Sequence, residues 1–124
     1  MSTNYYAIKL SLFESFEKEY KNSLVLNYLF PNKQELFDKL LIHIGKYCFN
    51  KFTFNNSLGN SYQDIKKELK DYIIFDEYHR KVEYDSLIKL IEGVQKDKIN
   101  KHDEYQEYFF YDGEGYRFMN ERWY

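Results

Sequence analysis

Apolar and polar positions change rhythm several times along the chain, and each change predicts an element. Tyr6, Ile8, Leu10 and Leu12 alternate with smaller or polar neighbours, which predicts a short strand near residues 4–10. Ser11 and Glu14 then have capping-box spacing, and Leu12, Phe13, Phe16, Tyr20 and Leu24 share one face of a following helix. Phe30-Pro31-Asn32 closes that region, because proline disfavours helix before it and suits the first turn after it. Leu36, Phe37, Leu40, Leu41, Ile44, Tyr47 and Cys48 then fall on one stripe of roughly 140° at helical pitch, predicting a helix with Ile42 off the stripe.

Residues 50–61 are rich in Asn, Ser and Gly and predict a loop around Phe52-Thr53-Phe54. Ser61 and Asp64 mark another helix start, carrying Ile65, Leu69, Tyr72 and Ile73. Ile73-Ile74-Phe75 breaks the pattern, with a change of direction at Asp76. Asp85 is the expected N-cap of a helix over 86–97, with Leu87, Ile88, Ile91 and Val94 buried. After residue 104 the chain turns aromatic on both sides of Asp112-Gly113-Glu114-Gly115, the sequence form of a β-hairpin. With those four residues as the loop, Tyr111 faces Tyr116, Phe109 faces Phe118 and Tyr108 faces Met119; a last helix over 102–111 is the competing arrangement.

These elements predict one α+β domain over residues 1–124, of about four helices with a C-terminal aromatic β-hairpin, and an all-α bundle as the alternative. Aromatic residues make up 21% of the chain, more than core filling needs, so some rings are expected at the surface. Nine of them fall in the last twenty residues.

Charge sharpens that expectation. The net charge is −2, distributed as +2 over residues 1–60, −1 over 61–100 and −3 over 101–124. A phosphate-tracking protein shows a basic stripe, whereas the aromatic tail is acidic and suits a basic partner. The expected contact surface is Tyr105, Glu107, Tyr108, Tyr111, Asp112, Glu114, Tyr116 and Trp123: aromatic anchors with carboxylates at the rim.

No motif names a reaction. His43, His79 and His102 lack the i, i+4 partner of a helical zinc site, and Asp112 with Glu114 lacks EF-hand spacing, so neither metal nor cofactor is expected. Cys48 is the single cysteine, excluding an internal disulfide, and Met1-Ser-Thr-Asn does not open a secretory leader; a cytoplasmic protein without a membrane span is expected. The leading expectation is a non-catalytic inhibitor that occludes a basic surface of a partner such as a toxin or nuclease, in gross character similar to small acidic immunity and anti-defence proteins. One alternative is a nucleic-acid-binding protein that stacks bases on Tyr and Phe beside Lys66, Lys67 and Lys70; the leading reading expects no direct nucleic-acid contact. The other is a small enzyme centred on Glu77 and His79.

Overall fold

The computed structural model describes residues 2–93 and 109–119. Among them are five helices and one seven-stranded sheet of order β5 (Lys81–Val82), β4 (Tyr72–Asp76), β1 (Ser2–Lys9), β2 (Ile42–Cys48), β3 (Lys51–Phe54), β7 (Arg117–Met119) and β6 (Phe109–Tyr111), an α+β fold that excludes the all-α alternative. β1 (Ser2–Lys9) forms where alternation predicts it and sits inside the sheet, antiparallel to β2 and β4. Its last residue, Lys9, is still paired to Tyr72, so the chain enters α1 (Leu10–Asn22) at once. Lys9 therefore occupies the N-cap without a side-chain cap, and the expected Ser11 cap lies inside the first turn. Phe16 and Tyr20 are buried as expected, but Leu12 and Leu24 point to solvent.

α2 (Leu24–Leu29) starts where the Ser23 hydroxyl accepts the Leu26 amide at 3.1 Å. α3 (Lys33–Asp38) starts where the Asn32 side chain accepts the Gln34 and Glu35 amides, so the boundary at Pro31 holds. The helix expected through residue 48 ends at Asp38. Residues Ile42–Cys48 are β2, half of the expected stripe, and Leu40, Leu41, Ile44, Tyr47 and Cys48 leave the helix. β-Branched Ile42 and Ile44 and aromatic Tyr47 suit a pleated strand, Gly45 weakens a helix by ~1 kcal/mol, and strands on both sides complete the ladder.

β2 carries a bulge. Tyr5 is opposite Gly45 and Tyr6 is opposite His43, leaving Ile44 as the extra residue. A Cβ on Gly45 would lie 2.5 Å from both the Phe52 ring and the Thr53 carbonyl oxygen, so only glycine fits there. Phe49 and Asn50, with φ of 52° and 59°, form the two-residue turn into β3 (Lys51–Phe54). The expected loop around Phe52-Thr53-Phe54 is thus a strand, specified by the turn and by pairing to β2.

α4 (Tyr62–Glu68) is capped by Ser61, whose hydroxyl accepts the Asp64 amide, as expected. A short 3₁₀ turn, Leu69–Asp71, leads into β4 (Tyr72–Asp76), which ends at the predicted change of direction. β5 (Lys81–Val82) returns beside it, and α5 (Tyr84–Gly93) follows. Its ladder begins with the Leu87 amide on the Glu83 carbonyl, so Asp85 lies in the first turn rather than at the cap. Val94 and the rest of the expected helix lie outside the described residues.

β6 (Phe109–Tyr111) and β7 (Arg117–Met119) form the expected hairpin, and β7 pairs in parallel with β3. The register is that of a five-residue loop, 112–116, rather than the four-residue one: Phe109 faces Met119, Phe110 faces Phe118 and Tyr111 faces Arg117. Tyr108 lies outside the described residues.

Alternation along the strands builds two cores. Ala7, Ile44, Phe52, Phe54, Ile74 and Phe118 pack with Tyr62, Ile65, Leu69, Leu87, Ile91 and Tyr116 on the α4–α5 side. Ile8, Ile73 and Phe75 face the other way, against Phe16, Tyr20 and Phe37, with half-buried Leu36, Leu40 and Leu41 around them. Among the described residues this second core covers the β4–β1 end of its sheet face.

Candidate functional site

The residues expected to form an acidic aromatic surface separate into different roles. Asp112 is 8% exposed and Tyr116 is 4% exposed. The Asp112 carboxylate accepts the Tyr62 amide at 2.8 Å, the Tyr116 amide at 2.9 Å and the Glu114 amide at 3.0 Å. Tyr116 packs 4.3 Å from the Tyr62 ring. These two residues build the hairpin and the core rather than an open surface. Tyr111 is half-buried opposite Arg117, and Glu114 is exposed, accepting from the Gln63 side chain. Tyr105, Glu107, Tyr108 and Trp123 lie outside the described residues.

A groove runs instead along the sheet face opposite α4 and α5. Its first part is a cleft of about 680 Å³ between α1, α3 and β4, walled by Phe13, Pro31, Phe37 and Phe75 and ending at His79. The second, about 310 Å³, is lined by Tyr6, Asp38, His43, Asp76, Glu77 and His79. The third, about 390 Å³, continues from His43 to Asn4, Lys46, Thr53 and Met119. His79 and His43 are the shared walls, so apolar, titratable and basic stretches follow one another.

The β4–β5 turn sets the middle stretch. Asp76 Oδ1 accepts the Tyr78 and Arg80 amides at 2.9 and 3.0 Å, and Oδ2 accepts Arg80 Nε at 2.8 Å. Burial opposes ionisation of Asp76, but those amides and the guanidinium outweigh it and hold the carboxyl below its ordinary value. The turn places His79 at φ 63°, a left-handed conformation that usually belongs to glycine or asparagine. His79 Nε2 lies 3.1 Å from Asp38 Oδ1 on α3. Across the cleft, His43 Nε2 lies 3.0 Å from Asn4 Oδ1, and its ring packs on Tyr6 at 5.3 Å. Burial lowers the His43 pKa, assisted by Lys46 and offset in part by a backbone hydrogen bond at Gly45, so the ring is neutral at pH 7. Glu77 accepts the Asn4 amide at 3.3 Å. This arrangement supplies an acid–base pair and a cation-accepting rim; among the described residues no group of three or more His, Cys, Asp or Glu is placed to hold a metal.

A second feature has no counterpart among the expected site residues. Leu24, Val25, Tyr28 and Leu29 are 87%, 65%, 85% and 61% exposed on α2. Their i, i+1, i+4, i+5 spacing places them on one side of the helix, while Leu26 turns inward. α2 is held to α1 by the Asn27 side chain, which donates to the Tyr20 and Ser23 carbonyls, and by the Tyr20 hydroxyl, which donates to the Phe30 carbonyl. The sequence signal is the uncharged run 22–32, of which the expected helical face takes in Leu24 and the expected boundary Phe30-Pro31-Asn32.

No family model matches the chain, and no curated protein and no solved structure matches it.

Proposed function

We propose that the protein is a non-catalytic, cytoplasmic protein-binding inhibitor, of immunity or anti-defence type, that covers a basic functional surface of its partner. The exposed apolar face of α2 carries this reading. Four large apolar side chains held outward on a fastened helix cost solvation in the free protein, and burying each one stabilises a complex by ~1.5–3 kcal/mol before association costs. The groove begins where α2 ends, at Pro31, and Asp38, Asp76 and Glu77 line its next stretch, so a partner seated on α2 presents its basic groups to these carboxylates. In this reading the apolar anchors are those of α2, and the carboxylates are Asp38 on α3 with Asp76 and Glu77 at the β4–β5 turn.

A photo-crosslinking residue in place of Tyr28, introduced in the native host, tests the proposal. The expected result is one adduct with a basic protein, lost when Leu24 and Leu29 are both changed to Asp in a variant with unchanged circular dichroism. Absence of an adduct, or an adduct only with a second copy of this chain, overturns it.

The enzyme reading is favoured by one observation: Glu77 and His79 do line a common cleft, with His79 paired to Asp38. It requires hydrolysis of an ester, phosphate or glycoside test substrate that falls at least ~100-fold in a folded His79→Ala variant, the range for loss of a general acid or base.

A further inference from the structure

The first two stretches of the groove hold four carboxylates, and three of them are engaged. Glu17 pairs with Lys33 at 2.7 Å, and Asp76 takes the Arg80 guanidinium and the turn amides. Asp38 Oδ1 accepts the Gln34 side chain at 2.9 Å and faces His79. Glu77 differs from them: its Oε1 accepts the Asn4 amide at 3.3 Å, and among the described residues it forms no ion pair. It is half-buried in a chamber that the Tyr6 ring and the His43 imidazole also wall.

On the far side of His79 the cleft is apolar. Phe37 meets Phe13 and Phe75 edge-on, with centroids 5.9 and 5.5 Å apart, and Pro31 adds to the wall these rings make. Rings set at such angles offer faces and edges to a further aromatic group. The cleft's volume of about 680 Å³ lies within the usual range for ligand pockets, roughly 300–1,000 Å³. An apolar cleft and one uncompensated carboxylate therefore adjoin in a single groove.

We infer that these two chambers seat an extended segment of the partner protein that carries an aromatic residue and, two positions on, an arginine. The inference rests on the inhibitor reading above and names what enters its groove. Alternate side chains of an extended strand lie on one side, about 6.6 Å apart, so both anchors point into the groove together. The aromatic ring enters the cleft beside Phe13, Phe37 and Phe75. The guanidinium meets Glu77 and lies against the Tyr6 ring, two contacts that suit arginine better than lysine. Charge selects this occupant, because a neutral or acidic segment gains the cleft but leaves Glu77 uncompensated.

Titration of the isotopically labelled full chain with synthetic heptapeptides, followed by NMR, tests the inference. The probe places phenylalanine and arginine two positions apart among glycine and serine. Its companions replace arginine by citrulline, replace phenylalanine by alanine, or make the two anchors adjacent. Saturable shifts are expected at the amides of Phe75, Glu77 and His79. Alanine in the peptide weakens binding at least ~10-fold. Citrulline in the peptide and Glu77→Gln in the protein each weaken it about fivefold, and the two losses do not add, because they remove the same pair. Gln34→Trp fills the cleft from the exposed side of α3 and abolishes binding, an independent check should Glu77→Gln alter the circular dichroism. The Leu24→Asp, Leu29→Asp variant keeps full peptide affinity, since α2 lines neither chamber. Peptide binding without the Tyr28 adduct upholds the groove's specificity and overturns the inhibitor reading, whereas the adduct without peptide binding overturns the groove inference alone. Equal affinity for the citrulline or adjacent-anchor peptide, unchanged affinity in Glu77→Gln, or shifts confined to other surfaces also overturns it.

Discussion

Two turns of this protein have the same backbone and different purposes. In Asp76–Arg80 and in Asp112–Tyr116, the first residue's amide donates to the fifth residue's carbonyl, at 2.9 and 3.0 Å, and the fourth residue's amide returns to the first residue's carbonyl, at 3.1 and 3.2 Å. In both, Oδ1 of the aspartate accepts the amides of the third and fifth residues. In both, the fourth residue is left-handed. It is Gly115 in one turn, with φ 93°, and His79 in the other, with φ 63°. A side chain at that position costs of order 1–2 kcal/mol, so the glycine satisfies the backbone while the histidine is retained against it. The Asp112 turn serves the core, to which it adds Tyr116. The Asp76 turn aims an imidazole at Asp38 across the groove.

The aspartates offer the hardest test of that division. Asp112→Ala leaves three amides without their acceptor, two of them buried, and is expected to cost ~3–4 kcal/mol in urea denaturation. Asp76→Ala removes two amide contacts and one exposed guanidinium, and is expected to cost ~1.5–3 kcal/mol. An equal loss at the two positions would dissolve the distinction. Exchanging the fourth residues comes next. Gly115→His is expected to destabilise by ~1–2 kcal/mol. His79→Gly relieves strain but frees the unfolded chain and loses a surface pair, for a net gain of ~0.5 kcal/mol by thermal denaturation. A marked loss in His79→Gly would show the imidazole to be structural.

Acid separates the two sides of the groove more gently. The His43 pKa lies below its ordinary 6.5, so the unfolded chain binds the proton first and stability declines as pH falls through that region; His43→Asn flattens this part of the profile. Asp76 lies below its ordinary 3.8, so its contribution is complete above that value and disappears as pH drops through the lower folded value. Asp76→Asn alters only this second decline. Denaturation midpoints measured from pH 8 to pH 2 resolve the two windows, and a single decline unaffected by either substitution would count against both assignments.

What could be read from the chain followed from local chemistry. Ser61, Asn32 and the Asp112–Gly115 turn announce themselves because a cap or a left-handed glycine acts over a few residues. β2 was hidden because residues 36–48 satisfy a helical stripe and a strand alternation at once, and partners about forty residues away in β1 decide between them. Gly45 and the off-stripe Ile42 were the clues. Within the groove, Glu77 and His79 were visible as neighbours, but Asp38, His43 and Tyr6 join them only through sheet pairing and the placement of α3. The exposure of α2 has the same origin: pattern alone assigns an apolar run to a core, and only the packed fold shows which core was already full.

The parallel seam between β3 and β7 carries a consequence for biosynthesis. Thr53 and Phe54 meet Arg117 and Phe118, partners more than sixty positions downstream, so the aromatic edge of β3 has no mate while the intervening chain is being translated. For that interval the nascent protein exposes an adhesive strand, and the arrival of β7 covers it. Synthesis halted just short of that point would release a sticky fragment rather than a shorter version of the same fold.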